Sequence, residues 1–228
     1  NFKNILMGNK QARGTFGERQ LEDLVRDIMP PETYAFQSVL STGVRPDCVI
    51  RLPYPPGDMI IDSKFPLESY NRMLLDANDG MAKKQFELDV RKHIDAIGEK
   101  YIIPGQTAES AMMFIASESI FETLHREFPG AIEYAARKRV FIVSPSTLWA
   151  TLNTIRAVLS DIKIKRVAAQ IKKELDLLLT DLVRLNDRAV NVSRHFAQAQ
   201  TDIEQLQTSI SKIAPRAEKL RDMDFGED

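Results

Sequence analysis

With a single cysteine, Cys48, the chain has no intramolecular disulfide and suits a reducing compartment. It carries no excess charge of either sign, since 31 Lys and Arg stand against 32 Asp and Glu. No global basic field therefore advertises nucleic acid, and any DNA contact must come from a local patch. No apolar run approaches the roughly 20 residues of a membrane span, and no signal peptide is visible. Both features lead us to expect a cytoplasmic protein. Histidine is also scarce, with three residues in all, and His93 has no Cys or second His nearby to suggest a metal site. It reads as a surface residue. Aromatics are few at 7%, yet a hydrophobic fraction of 43% suffices for a core. A chain of 228 residues is one large domain, or one domain with an appendage. It opens on Asn1 rather than Met, which reads as a fragment.

What is present concentrates between Val44 and Phe65. Residues 44–52 and 58–65 read as strands, joined by the turn Pro53-Tyr54-Pro55-Pro56-Gly57. Pairing Arg51 with Asp58 across that turn sets Asp47 opposite Asp62, and opposed residues share a face. Lys64, two beyond Asp62, joins them. Arg51 and Asp58 themselves read as a cross-strand ion pair of small worth. Two adjacent carboxylates repel unless a cation lies between them. A hard ion such as Mg²⁺ or Mn²⁺ suits the gap, with the Ser63 carbonyl as a further ligand and Lys64 placed to position an attacking water or steady a phosphate. Cys48 has the opposite parity and reads as a core thiol.

Pro46-Asp47 followed by Asp62-Ser63-Lys64 resembles the PD-(D/E)xK signature of the restriction-endonuclease-like nucleases. Taken with Gly14-Thr15-Phe16-Gly17-Glu18, Arg45-Pro46-Asp47, Ile61 to Pro66, and Met113-Phe114-Ile115 followed by Glu118, the chain over about residues 10–170 resembles the RmuC family of DNA recombination proteins. The resemblance implies an α/β fold with an endonuclease-like α-β-β-β-α-β core, extended by an added αβ unit and a long C-terminal coiled-coil helix. It implies a Mg²⁺-dependent deoxyribonuclease acting in recombination and restraining inversion at repeats. Its catalytic residues would be Asp47, Asp62 and Lys64, with DNA as partner. Such proteins carry a membrane-anchoring helix and a coiled coil ahead of this region, so the full-length protein would be held at the inner membrane. The alternative is a coiled-coil scaffold that binds DNA or protein without cutting.

Glu18 has two readings, as the partner of a Thr15 cap in a capping box or as the third acid that the superfamily often places on a helix. Arg45, on the face of Asp47, is a candidate phosphate contact. Gln37, on a strand expected over 34–40, either satisfies backbone groups or touches substrate. Lys163, Lys165 and Arg166, with Arg156, Lys172 and Lys173, form the one basic concentration. They read as a solvated helix face or as a DNA contact. Trp149, Leu152 and Ile155 read as core.

From Ile164 through Leu175, Leu182, Ala189, Phe196 and Ile203 to Ile213, apolar residues alternate at four-three spacing. That heptad seam demands a helical partner, either a second copy or a preceding coiled coil. Residues 1–14 read as the tail of a truncated helical region, 15–160 as the endonuclease-like domain, 161–215 as the coiled-coil helix that Pro215 ends, and 216–228 as an acidic tail.

Overall fold

The computed structural model describes residues 10–75 and 79–221. Residues 1–9 of the expected N-terminal tail and 222–228 of the expected acidic tail lie outside them. The described elements are α1 (Lys10–Ile28), a 3-10 turn (Pro31–Thr33), β1 (Tyr34–Phe36), β2 (Cys48–Ile50), β3 (Asp58–Ser63), α2 (Leu67–Leu75) and α3 (Gly80–Tyr101). After these come β4 (Thr107–Phe114), α4 (Glu118–Glu127), α5 (Pro129–Arg137), β5 (Val140–Val143) and α6 (Pro145–Arg221). The strands form one mixed sheet in the order β1-β2-β3-β4-β5. Its first three strands are antiparallel, because loops without a crossover helix join them, and β3, β4 and β5 are parallel, because helices cross between them. Helix, three strands, helices and strand follow each other in the expected order, with α4, α5 and β5 appended.

Pleat alternation splits the core into two layers. Val49, Ile60, Met113 and Val140 pack with Phe86, Val90, Ile94 and Ile97 of α3 and with Ile120 and Leu124 of α4. The four α3 residues, at steps of four and three along the helix, form a fully buried apolar stripe. Cys48, Ile50, Ile61, Met112 and Phe114 face Leu21 and Val25 of α1 and Leu148 and Leu152 of α6. Cys48 is a buried core thiol whose pKa is pushed up by burial and by the charges of Asp47 and Glu22. The β2–β3 turn ends at Gly57, whose φ of +89° suits glycine and whose absent Cβ would lie 2.9 Å from the Gln106 carbonyl.

Several local expectations are corrected. The first described helix runs from Lys10, so Thr15 is a mid-helix residue and no capping box starts there. The strand expected over 34–40 stops at Phe36, because Gln37 takes a left-handed φ of +50°. Arg51 and Asp58 are opposed in register but make no ion pair among the described residues. On α6, Leu148 and Leu152 carry the buried stripe, so Trp149, one position round the helix, is 54% exposed. Pro215 lies inside α6 rather than at its end. The residues after it, Arg216 to Leu220, are mostly good helix formers, and they carry the helix past the one backbone donor that proline lacks.

The chain divides into two compact units, one ending at Ile162 and the other beginning at Lys163. In the second, the heptad positions Ile164, Ile171, Leu175, Leu178, Leu182 and Leu185 are all more than half exposed. Among the described residues no helix is long and apolar enough to cross a membrane.

Candidate functional site

The β2–β3 pairing places Cys48 opposite Ile61, Val49 opposite Ile60 and Ile50 opposite Met59. Continued by one residue, that register sets Asp47 opposite Asp62, as the turn predicts. Asp62 is only 2% exposed, although a lone carboxylate is costly at such depth. Two neighbours offset that cost. The Lys64 ammonium donates to Asp62 Oδ2 in a close ion pair. The Tyr101 hydroxyl, at the end of α3, is hydrogen-bonded to the same carboxylate. The backbone of β3 holds Asp62 rigidly against β4, opposite Met113.

Asp47 is fixed at both oxygens. The Ser63 amide donates to Oδ2 at 2.7 Å and the Gln37 side-chain amide to Oδ1 at 3.2 Å. Gln37 also donates its backbone N–H to the Asp47 carbonyl at 3.2 Å. Its left-handed backbone therefore serves to bring its side chain back onto a site carboxylate. The Asp47 carboxyl is raised to about 6, chiefly by burial and then by the Asp62 charge. The Ser63 amide and Lys64 pull it back, and Glu18 adds a small upward push. The Lys64 ammonium also reaches the Ser63 carbonyl at 3.4 Å, so it lies between two of the oxygens that a cation would need.

Tyr101 was not legible as a site residue. It extends the α3 stripe by one more step of four from Ile97, which marks it as core, and its ring is buried as such. Its hydroxyl has a single proton, for which the Asp62 carboxylate and the Arg45 carbonyl, at 3.5 Å, compete. Burial, then Asp62 and Asp47, raise its pKa, so it stays a donor. The Arg45 residue itself is exposed in the loop before Asp47.

Off the carboxyl end of β3 lies a recess of about 500 Å³ whose lining includes Glu18, Ser63 and Lys64. With the capping box gone, Glu18 is an exposed residue of α1 on this wall. The helix can come so near because residue 17 is glycine: a Cβ there would sit 2.6 Å from the Ser63 hydroxyl. His93 lines the same recess rather than the outer surface. Glu118 lies elsewhere. Its carboxylate accepts from the Ser146 amide at 2.8 Å, and although burial pushes its pKa up, the Ser146 and Ser144 hydrogen bonds bring it net below the usual range. It ties the start of α4 to the start of α6, and Ser117 caps α4. Arg156 is structural too, donating to the Ile28 carbonyl at 3.4 Å at the end of α1. Lys163, Lys165 and Arg166 belong to the second unit and are exposed on its helix.

Comparison with known proteins gives a family model, the RmuC family, that matches residues 1–228. Among curated proteins, the chain is similar to the DNA recombination protein RmuC of Escherichia coli K12, 26% identical over 97% of this chain and 50% of that protein. It is also similar to the RmuC homolog of Xylella fastidiosa Temecula1, at 31% over 71% of this chain and 38% of that protein. The Vibrio cholerae homolog is 29% identical over 68% and 32% respectively. The chain thus spans half or less of the length of these relatives. No solved structure matches it.

Proposed function

The chain belongs to the RmuC family, and from that premise we propose that its first unit is a metal-dependent nuclease-like domain that hydrolyses DNA phosphodiesters during recombination. Relatives named DNA recombination proteins support the setting. The order helix, three strands, helices, strand supports a restriction-endonuclease-like core with an added αβ unit. The observation that carries the reading is the convergence of Asp47, Asp62 and Lys64 on one face at the end of β3, where Lys64 pairs with Asp62 and acts on Asp47 through its charge alone. A purely structural cluster has no need of the second carboxylate.

The donor set suits a hard divalent ion. Asp47, Asp62 and the Ser63 carbonyl are all oxygen ligands, and the raised Asp47 carboxyl marks a negative charge that Lys64 leaves partly uncompensated. Among the described residues no group of three or more His, Cys, Asp and Glu side chains is arranged to hold a metal. Water would therefore complete the coordination, as Mg²⁺ prefers. When bound, Mg²⁺ or Mn²⁺ supplies Lewis-acid polarisation of the phosphate and a more acidic water. The protein's own part is positional and electrostatic. Gln37 and the Ser63 amide fix Asp47, Tyr101 orients Asp62, and Lys64 positions the attacking water and stabilises charge growing on the phosphate. Arg45, exposed beside Asp47, would hold a neighbouring phosphate.

Incubating the chain with branched, linear and single-stranded DNA should give cleavage with Mg²⁺ or Mn²⁺ that a chelator abolishes. Intact DNA in all three cases, with either ion, would leave the second reading: a non-catalytic scaffold on a nuclease-derived domain. The exposed heptad seam favours that alternative, and in either reading the seam is taken to pair with a second copy. Sedimentation should then give a mass above that of one chain, and a strict monomer at micromolar concentration would reject the pairing.

A further inference from the structure

The recess beside Lys64 extends the site beyond the three residues that define it. Its walls are α1 on one side and α2 and α3 on the other, and at about 500 Å³ it falls within the range of pockets that hold one small molecule. One nucleotide of a single strand is an occupant of that scale, whereas a base pair carries a second strand that the recess has no room for. A duplex would have to unpair before its bases could enter.

The charges on the walls point the same way. Lys92 projects from α3, is exposed and makes no ion pair among the described residues. Arg72 on α2 is held by Glu68 one turn away at 2.6 Å, with about two-thirds of its side chain exposed. Across the recess stands Glu18, and Asp89 lies one turn before Lys92 and His93, accepting a hydrogen bond from Gln85 at 2.9 Å. A carboxylate repels the phosphates of either form, but Asp89 and Glu18 can accept from Watson–Crick-edge donors of a base, which an intact duplex keeps paired. A single strand presents phosphates to Lys64, Lys92 and Arg72 and base edges, with donors as well as acceptors, to Asp89 and Glu18.

We infer that the recess receives one unpaired strand of DNA, with Lys92 gripping a phosphate next to the one that Lys64 faces, so that the substrate is single-stranded or frayed rather than intact duplex. The inference rests on the nuclease-like reading for its choice of ligand, and binding and cleavage separate the two. With chelator present, fluorescence anisotropy on the whole chain is expected to show an oligothymidylate strand bound roughly tenfold tighter than a blunt duplex of equal length at the same salt. Lys92→Glu, an exposed change that should leave the melting curve unmoved, is expected to remove most of that single-strand affinity. Duplex bound as tightly as single strand, or single-strand binding unaltered by Lys92→Glu, would overturn the inference even if the chain cuts DNA. Single-strand binding that follows the expected pattern, in a chain that cleaves nothing with either metal, would uphold the recess and discard hydrolysis.

Discussion

Lys64→Ala is expected to lower DNA cleavage by about 10²–10³-fold and to destabilise the fold by about 3 kcal/mol. The two effects come from one ammonium with two tasks. Asp62 is almost fully buried, and without Lys64 its carboxylate faces Asp47 with only the Tyr101 hydroxyl to offset the charge. Breaking a buried pair costs several kcal/mol for that reason. The Lys64 side chain is 30% exposed, and solvent screening places the loss at the lower end of the usual range. The double variant Asp62→Asn/Lys64→Met should recover most of the stability, since no charge is left stranded, while cleavage stays lost. Urea unfolding read beside single-turnover cleavage distinguishes a structural ion pair from a catalytic one. Full cleavage by a folded Lys64→Ala protein would end the case for this site.

Asp47→Asn should do the reverse to stability while also removing activity. The Asp47 carboxyl ionises at about 6 in the folded chain against 3.8 for an ordinary aspartate. A raised carboxyl favours the folded state fully below the ordinary value, and that contribution is lost as pH rises through the folded value. At pH 7.5 in chelator the native chain therefore carries a strained charge, and removing it is expected to gain about 2 kcal/mol. The gain should shrink to nothing near pH 3, below the ordinary aspartate value, where the position is neutral in the folded and the unfolded chain alike. Asn can still accept from the Ser63 amide, and the Gln37 amide can turn to present its oxygen to the new donor, so no buried group is orphaned. Adding Mn²⁺ should then raise the melting temperature of the native chain and leave that of Asp47→Asn unchanged. A variant less stable than the native chain at pH 7.5 would show that burial and the Asp62 charge do not strain the Asp47 carboxylate.

The hairpin register was legible because a one-residue slip would turn every apolar residue of β2 and β3 out of its layer. Asp47 and Asp62 had to meet once Cys48, Ile50 and Ile61 were committed to one face and Val49 and Ile60 to the other. The four-three seam was legible for the same reason, since it is a period written along one element. Helix limits were less so: Lys10 to Gly14 precede a credible cap at Thr15 and nevertheless join the helix, and Pro215 sits within one.

What the sequence by itself determined, then, is the order of elements, their buried faces and the meeting of three charged residues across one turn. Only the tertiary structure decided which groups support those residues and what space adjoins them. Tyr101, Gln37, Gly17, Lys92 and His93 lie tens of residues from their partners along the chain, or bear on them through a positive φ or an absent Cβ. Periodicity reports how a residue faces its own element, and carries no information about which distant element will pack against it.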